Sequence, residues 1–145
     1  MSADPLFIAA AAVRNKAHAP FSGFKVGAAV QASDGIIYSG CNVECASYGL
    51  TICAERVAVC KAISEGSRKF ARIAVYAETE ELTPPCGACR QLLWELCGDI
   101  EVYLLNHKKQ MVCYKLGDLI PLAFEAKTMG KSIGGGSTGN RPAIK

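Results

Sequence analysis

The 145-residue chain has little net charge: sixteen Lys and Arg against thirteen Asp and Glu leave +3. No dense basic stripe is present, which argues against a surface that tracks phosphates. Long apolar runs are missing from the N-terminal region. The longest there, Pro5 to Val13, is nine residues and follows Asp4. A membrane span needs about 20 residues and a secretory signal a basic start, so a cytoplasmic protein with no membrane partner is expected. Aromatic residues make up 8%, with one Trp at position 94, too few near the motifs for a groove that stacks a nucleic-acid strand. Histidine is also scarce. His18 and His107 stand alone at a helix end and in a turn, where surface roles are expected. Charged residues reach only 20% against 50% hydrophobic, the reverse of a disordered composition, and the length suffices for a domain with its own core.

What the chain does have is eight cysteines. In a small secreted protein an even number suggests disulfides. In a reducing compartment each is a metal ligand, a nucleophile or a small buried hydrophobe, and position must sort them.

Asp4-Pro5 reads as a cap and first helical residue, with a helix through Lys16. Phe24 to Ser33 and Ile36 to Ser39, joined by Asp34-Gly35, read as a hairpin. Gly40 to Thr51 reads as a loop and Cys53 to Glu65 as a helix capped by Gly66. Phe70 to Ala77 is a buried strand and Gly87 to Leu96 a third helix. Glu101 to Leu105 and Met111 to Lys115 are the last strands, and Leu119 to Phe124 a short helical turn. This order predicts an α/β fold, a three-layer α/β/α sandwich around a mixed five-stranded sheet. Residues 1–126 form the expected catalytic domain and 127–145 a flexible Gly/Ser-rich tail. Gly130-Lys131-Ser132 in that tail imitates a phosphate loop, but Glu125 stands where the loop needs its first glycine.

Two segments carry chemistry. Cys53-Ala54-Glu55-Arg56 opens the second helix, and Pro85-Cys86-Gly87-Ala88-Cys89-Arg90-Gln91 opens the third. Cys86 and Cys89 share one face at a helix start, where unpaired N–H groups favour thiolate. A lone C-x-x-C is equally a buried or redox pair. A third cysteine, Cys53, at a second helix start makes a three-sulfur site with an open fourth position, the pattern of a catalytic zinc. Glu55 beside such a site can move the proton of an activated water. Taken alone, it could equally be an acidic residue that favours the helix dipole.

Together with Pro20-Phe21-Ser22-Gly23-Phe24-Lys25-Val26-Gly27-Ala28-Ala29, Asn42-Val43-Glu44 and Ser47-Tyr48-Gly49-Leu50, these motifs make residues Leu6 to Phe124 resemble the cytidine deaminase family, specifically its small zinc-dependent nucleoside deaminases. The resemblance implies hydrolytic deamination of cytidine and 2'-deoxycytidine to the uridine products in pyrimidine salvage. One zinc per subunit is implied on Cys53, Cys86 and Cys89. Water adds at C4 of the pyrimidine, while Glu55 carries a proton to N3 and then to the departing amine. The resemblance further implies substrate contacts from Phe24, Asn42, Val43, Glu44 and Ala54. It also implies a homotetramer in which Tyr48 and Phe124 reach neighbouring subunits. Three thiolates and one zinc ion sum to minus one, and Arg56 is expected to offset that charge through hydrogen bonds to ligand sulfur.

On their own residues these positions have plainer readings. Phe24 can be core, Asn42 a turn residue and Glu44 solvated. Cys45 stands where the family commonly has Asn. Cys41, Cys60, Cys97 and Cys113 read as packing residues, Cys60 and Cys97 at helical positions that can be buried. Rival functions are a non-catalytic zinc module completed by Cys41 or Cys45, a deaminase of cytosine within RNA or DNA, and one acting on N4-substituted cytidine or blasticidin.

Overall fold

The computed structural model describes residues 3–130. Helix α1 spans Pro5–Arg14 and starts as its sequence dictates. Asp4 Oδ1 accepts from the Leu6 N–H at 3.0 Å, and Pro5 fills a position where no N–H is needed. Strands β1 (Val26–Ala32) and β2 (Ile37–Cys41) form the hairpin. Gly35 takes φ +93° at its turn, and Asp34 Oδ1 accepts from Ile36 N–H. Then come α2 (Ala54–Ser64), β3 (Phe70–Ala77), α3 (Gly87–Cys97), β4 (Glu101–Asn106), β5 (Met111–Lys115) and a single turn, α4 (Leu116–Leu119).

The sheet order is β2-β1-β3-β4-β5, with β3 and β4 parallel and every other pair antiparallel. Alternation along the strands divides the core in two. Ala28, Val30, Ile73, Val75, Val102 and Leu104 face Ala54, Ala58, Val59 and Leu93 of α2 and α3. Ala29, Ala74, Tyr76 and Leu105 face Leu6, Phe7 and Ala10 of α1. Helices thus cover both faces, and the expected three-layer α/β sandwich is observed.

Two glycines set how closely those layers approach. A Cβ on Gly27 would lie 2.0 Å from the Ala10 carbonyl oxygen, and one on Gly40 would lie 2.5 Å from Ala58 N and 2.9 Å from the Ala54 oxygen. Neither position tolerates a side chain without moving a helix. Gly40 therefore fixes the depth at which the first turn of α2 sits.

Three sequence expectations are corrected. The helical turn lies at Leu116–Leu119, not Leu119 to Phe124. Pro121 disfavours helix for the residue before it, and Ile120 is at φ −144°, ψ 73°. Cys60 and Cys113 are exposed rather than packed, because each lies on the outward side of its element, whereas Cys97 is buried. The loop before α2 is also more ordered than its composition suggests. It holds a 3-10 turn, Tyr48–Leu50, and a short antiparallel bridge between Val43 and Ile52. Of the expected tail, Ala126–Met129 forms one 3-10 turn, and residues 131–145 lie outside the described residues. Among the described residues no helix is long and apolar enough to cross a membrane.

Candidate active site

Strands β2, β3 and β4 run in one direction, since β1 is antiparallel to both β2 and β3. Helix α2 follows β2 and α3 follows β3, so both helices begin at the same edge of the sheet. Cys53 and Cys86 are the N-cap residues of those helices, in extended conformation (φ −69°, ψ 154° and φ −66°, ψ 168°). Their carbonyls accept the first helical hydrogen bonds, from Val57 and Arg90. Neither sulfur caps its own helix, which leaves both thiols for another task. Cys89, in the first turn of α3, is buried.

The three sulfurs converge. All lie within 4.8 Å of one another, with Cys53 Sγ 3.9 Å from Cys86 Sγ. A tetrahedral zinc with Zn–S of about 2.3 Å spaces its sulfurs roughly 3.8 Å apart, so this donor set fits zinc in both spacing and softness. No fourth sulfur joins them among the described residues. Cys45 instead points its thiol at the Leu50 carbonyl, 3.9 Å away. The closed four-cysteine module lacks its fourth ligand.

The electrostatics around the sulfurs are asymmetric. Cys89 donates to Cys53, and Arg56 and Cys86 add to that, bringing the Cys53 thiol down to about 5. Cys89 is pushed up for the matching reason, because it gives its proton to Cys53 and is also desolvated. Arg56 Nη2 donates to Cys53 Sγ at 3.7 Å and to the Thr51 carbonyl at 3.2 Å. The expected contact between this guanidinium and a ligand sulfur is present.

Glu55 is 5% exposed in the first turn of α2, and its Oε2 lies 3.6 Å from Cys89 Sγ. Burial raises its carboxyl pKa, and the negative charge of Cys53 adds to the rise. A carboxyl lifted in this way binds and releases a proton closer to neutral pH.

A second group of expected site residues gathers on the loops beside β1. Asn42 is 8% exposed, and its amide makes one bond to the chain at each end. Oδ1 accepts from Val26 N–H at 2.9 Å and Nδ2 donates to the Phe24 carbonyl at 2.8 Å. Glu44 Oε1 accepts from the N–H groups of Phe21 and Ser22, each at 3.0 Å, and Oε2 accepts from the Ser22 hydroxyl. Those hydrogen bonds, the Ser22 hydroxyl foremost, hold its carboxyl below the usual range. Phe24 is 44% exposed, so it is not core. Val43 is exposed, while the Ala54 side chain belongs wholly to the core. Tyr48 and Phe124 are both exposed, at 74% and 54%. Tyr48 stacks edge-on against Phe21 at 5.8 Å, and the Phe124 carbonyl accepts from Gln91 Nε2 at 2.9 Å.

Sequence reasoning left some supporting residues unassigned. Arg90 Nε donates to the carbonyl of Pro85 and Nη1 to that of Leu119, both at 2.8 Å, tying the ligand-bearing turn to α4. Asn106, fully buried, donates to the carbonyls of Thr79 and Glu80 and fixes the chain that leads to Cys86. Arg90 lies inside a motif already noted, and its charge next to a ligand was the available signal. Asn106 also closes the turn toward β5 locally, its Oδ1 accepting from the Lys108 and Gln110 N–H groups at 3.1 Å, but its bonds to Thr79 and Glu80 join a loop distant in sequence that no local pattern announces.

Comparison with known proteins agrees with this geometry. Residues 1–105 match the model of the cytidine and deoxycytidylate deaminase zinc-binding region. A cytidine deaminase of Sporosarcina psychrophila is 44% identical over 130 residues, covering 89% of this chain and 96% of the relative. Another from Halalkalibacterium halodurans is 50% identical over 117 residues, covering 80% and 89%. The crystal structure of cytidine deaminase from Burkholderia pseudomallei superposes with a TM-score of 0.81 at 50% identity, covering 86% of this chain and all of that one. Three sulfurs at two helix starts, a buried carboxyl beside them and these similarities lead to one assignment: the chain belongs to the cytidine and deoxycytidylate deaminase family.

Proposed function

We propose that this protein catalyses the hydrolytic deamination of cytidine and 2'-deoxycytidine, with water consumed and ammonia released. The observation that carries the reading is the convergence of Cys53, Cys86 and Cys89 with the buried carboxyl of Glu55 touching one of the three sulfurs. Bound by those sulfurs, zinc would supply Lewis-acid activation of water, a role that lowers the pKa of bound water toward about 7. Glu55 takes a proton of the attacking water on a carboxylate oxygen and delivers it to N3 of the pyrimidine, then takes the remaining proton from the hydroxyl added at C4 and passes it to the amine, so that ammonia leaves with the C4–N bond as the C4 carbonyl forms. Its raised pKa suits both halves of that task. Arg56, donating to Cys53, offsets the surplus negative charge of three thiolates.

The nucleoside is held by Phe24 against the base, with Asn42 and Glu44 toward the ribose hydroxyls and Val43 and the backbone at Ala54 lining the site. Glu44, kept ionised by its donors, acts there as an acceptor. The exposed aromatics Tyr48 and Phe124 fit a homotetramer in which each site is finished by neighbours, and residues 1–126 form the catalytic domain. The role is pyrimidine salvage in the cytoplasm, on a small neutral substrate; the charge of +3 suits that better than a polymer.

The test is a spectrophotometric assay on cytidine, deoxycytidine, N4-substituted cytidine and blasticidin, with chelated protein and Glu55→Gln as controls. Loss of cytidine absorbance that is abolished in both controls is expected. Turnover near the wild-type rate in either one overturns the mechanism.

A further inference from the structure

The three residues proposed to hold the nucleoside form one hydrogen-bonded unit, and its hub is a residue given no role so far. The Ser22 hydroxyl donates to Glu44 Oε2 and, through its lone pair, accepts the Phe24 N–H at 2.9 Å. The Ser22 N–H also donates to Glu44 Oε1. On the other side of Phe24, its carbonyl accepts from Asn42 Nδ2 at 2.8 Å. Phe24 is therefore held at its N–H by Ser22 and at its carbonyl by Asn42. Gly23 makes the connecting turn at φ +68°, a conformation that favours glycine.

We propose that Ser22 is a positioning residue for nucleoside recognition, its hydroxyl fixing the Glu44 carboxylate and the backbone of Phe24 relative to each other. A carboxylate offers about four lone-pair sites, and Glu44 spends three of them on Phe21 N–H, Ser22 N–H and the Ser22 hydroxyl. One site is left, which suits a single sugar hydroxyl, and its direction is set by the other three bonds. Without the serine hydroxyl, Oε2 loses its tether and Phe24 N–H loses its acceptor. The carboxylate then rotates between water and substrate, and ordering it becomes part of binding. The sulfur cluster and Glu55 make none of these bonds, so the chemical step is left alone.

This inference rests on reading Phe24, Asn42 and Glu44 as nucleoside contacts, and the experiment separates the two claims. Steady-state kinetics on cytidine are measured for the zinc-loaded wild type, Ser22→Ala, Ser22→Thr and Glu44→Gln. Ser22→Ala is expected to raise KM about tenfold, the scale of one charge-assisted hydrogen bond, with kcat within about twofold. Ser22→Thr, which keeps the hydroxyl, restores KM. A serine that merely stabilised its exposed loop would lower the melting temperature and the active fraction without moving KM. If Glu44→Gln raises KM and Ser22→Ala does not, the Ser22 role is overturned while the sugar-contact reading stands. If neither raises KM, both fall. A fall in kcat with KM unchanged in Ser22→Ala also overturns the inference, as does a threonine variant as impaired as the alanine one.

Discussion

Single side chains decide the chemistry through where burial and charge place their protons. Glu55 owes its raised pKa first to desolvation, so replacing it by the neutral isostere removes the proton carrier and little else. Glu55→Gln is expected to retain zinc by metal analysis and to lose about 10²–10⁴ in kcat, the range of general acid–base catalysis. Arg56 acts one step further away, through Cys53 Sγ. Arg56→Ala leaves the three thiolates without their cation and is expected to lower zinc affinity or turnover about 10–100-fold. A zinc titration against a competing chelator alongside the assay measures this, and full zinc with full turnover would refute the role.

Elements position those side chains because helices start where strands of one direction end, at a depth glycine sets. Gly40→Ala places a methyl 2.5 Å from Ala58 N, backbone that has nowhere to retreat. The expected loss is about 1–3 kcal/mol of stability in thermal unfolding, with reduced kcat because the α2 start carrying Glu55 is pushed outward. At the other face, Asp4 caps α1 and pairs with Arg72, with 3.0 Å between Oδ1 and Nη2. The Arg72 guanidinium, ahead of the Leu6 N–H, holds the Asp4 carboxyl below its ordinary 3.8. The folded protein therefore binds a proton there less readily than the unfolded chain. This stabilisation is present above the unfolded pKa and fades as pH falls through the lower folded value. Asp4→Asn is expected to unfold about 1 kcal/mol more easily at neutral pH. Denaturation at a series of pH values should show the gap to wild type closing in acid.

For the whole molecule, zinc and assembly are the variables. A ligand that binds only the folded state stabilises it by mass action, about 4 kcal/mol at a thousand times its dissociation constant. Chelation should therefore lower the melting temperature along with activity. The exposed aromatics predict a concentration-dependent activity that follows tetramer formation. Sedimentation and assay over the same dilution series test this. Tyr48→Ala or Phe124→Ala should weaken both together, and a fully active monomer would rule the assembly out.

Much of this was legible in the chain itself. Asp4-Pro5, Asp34-Gly35 and Pro85-Cys86 mark element boundaries through local backbone chemistry, and β3 and β5 have the bounds expected from the sequence. Cysteine at the starts of two helices, with Glu55 beside one, was enough to suggest a three-sulfur zinc site. Other features depend on partners distant in sequence. Cys60 and Cys97 look alike as helical cysteines, yet one is exposed and the other buried, because only packing decides which face meets the sheet. The bonds of Asn106 to Thr79 and of Arg90 to Leu119 form only when segments distant in sequence arrive beside them. Ser22 joins Glu44 across 22 residues of sequence, a contact that no local pattern announces. The amino-acid sequence determined the helix starts and the donor atoms they carry. The tertiary structure alone decided that the three sulfurs meet within 4.8 Å, because parallel strand directions bring both helix starts to one edge of the sheet.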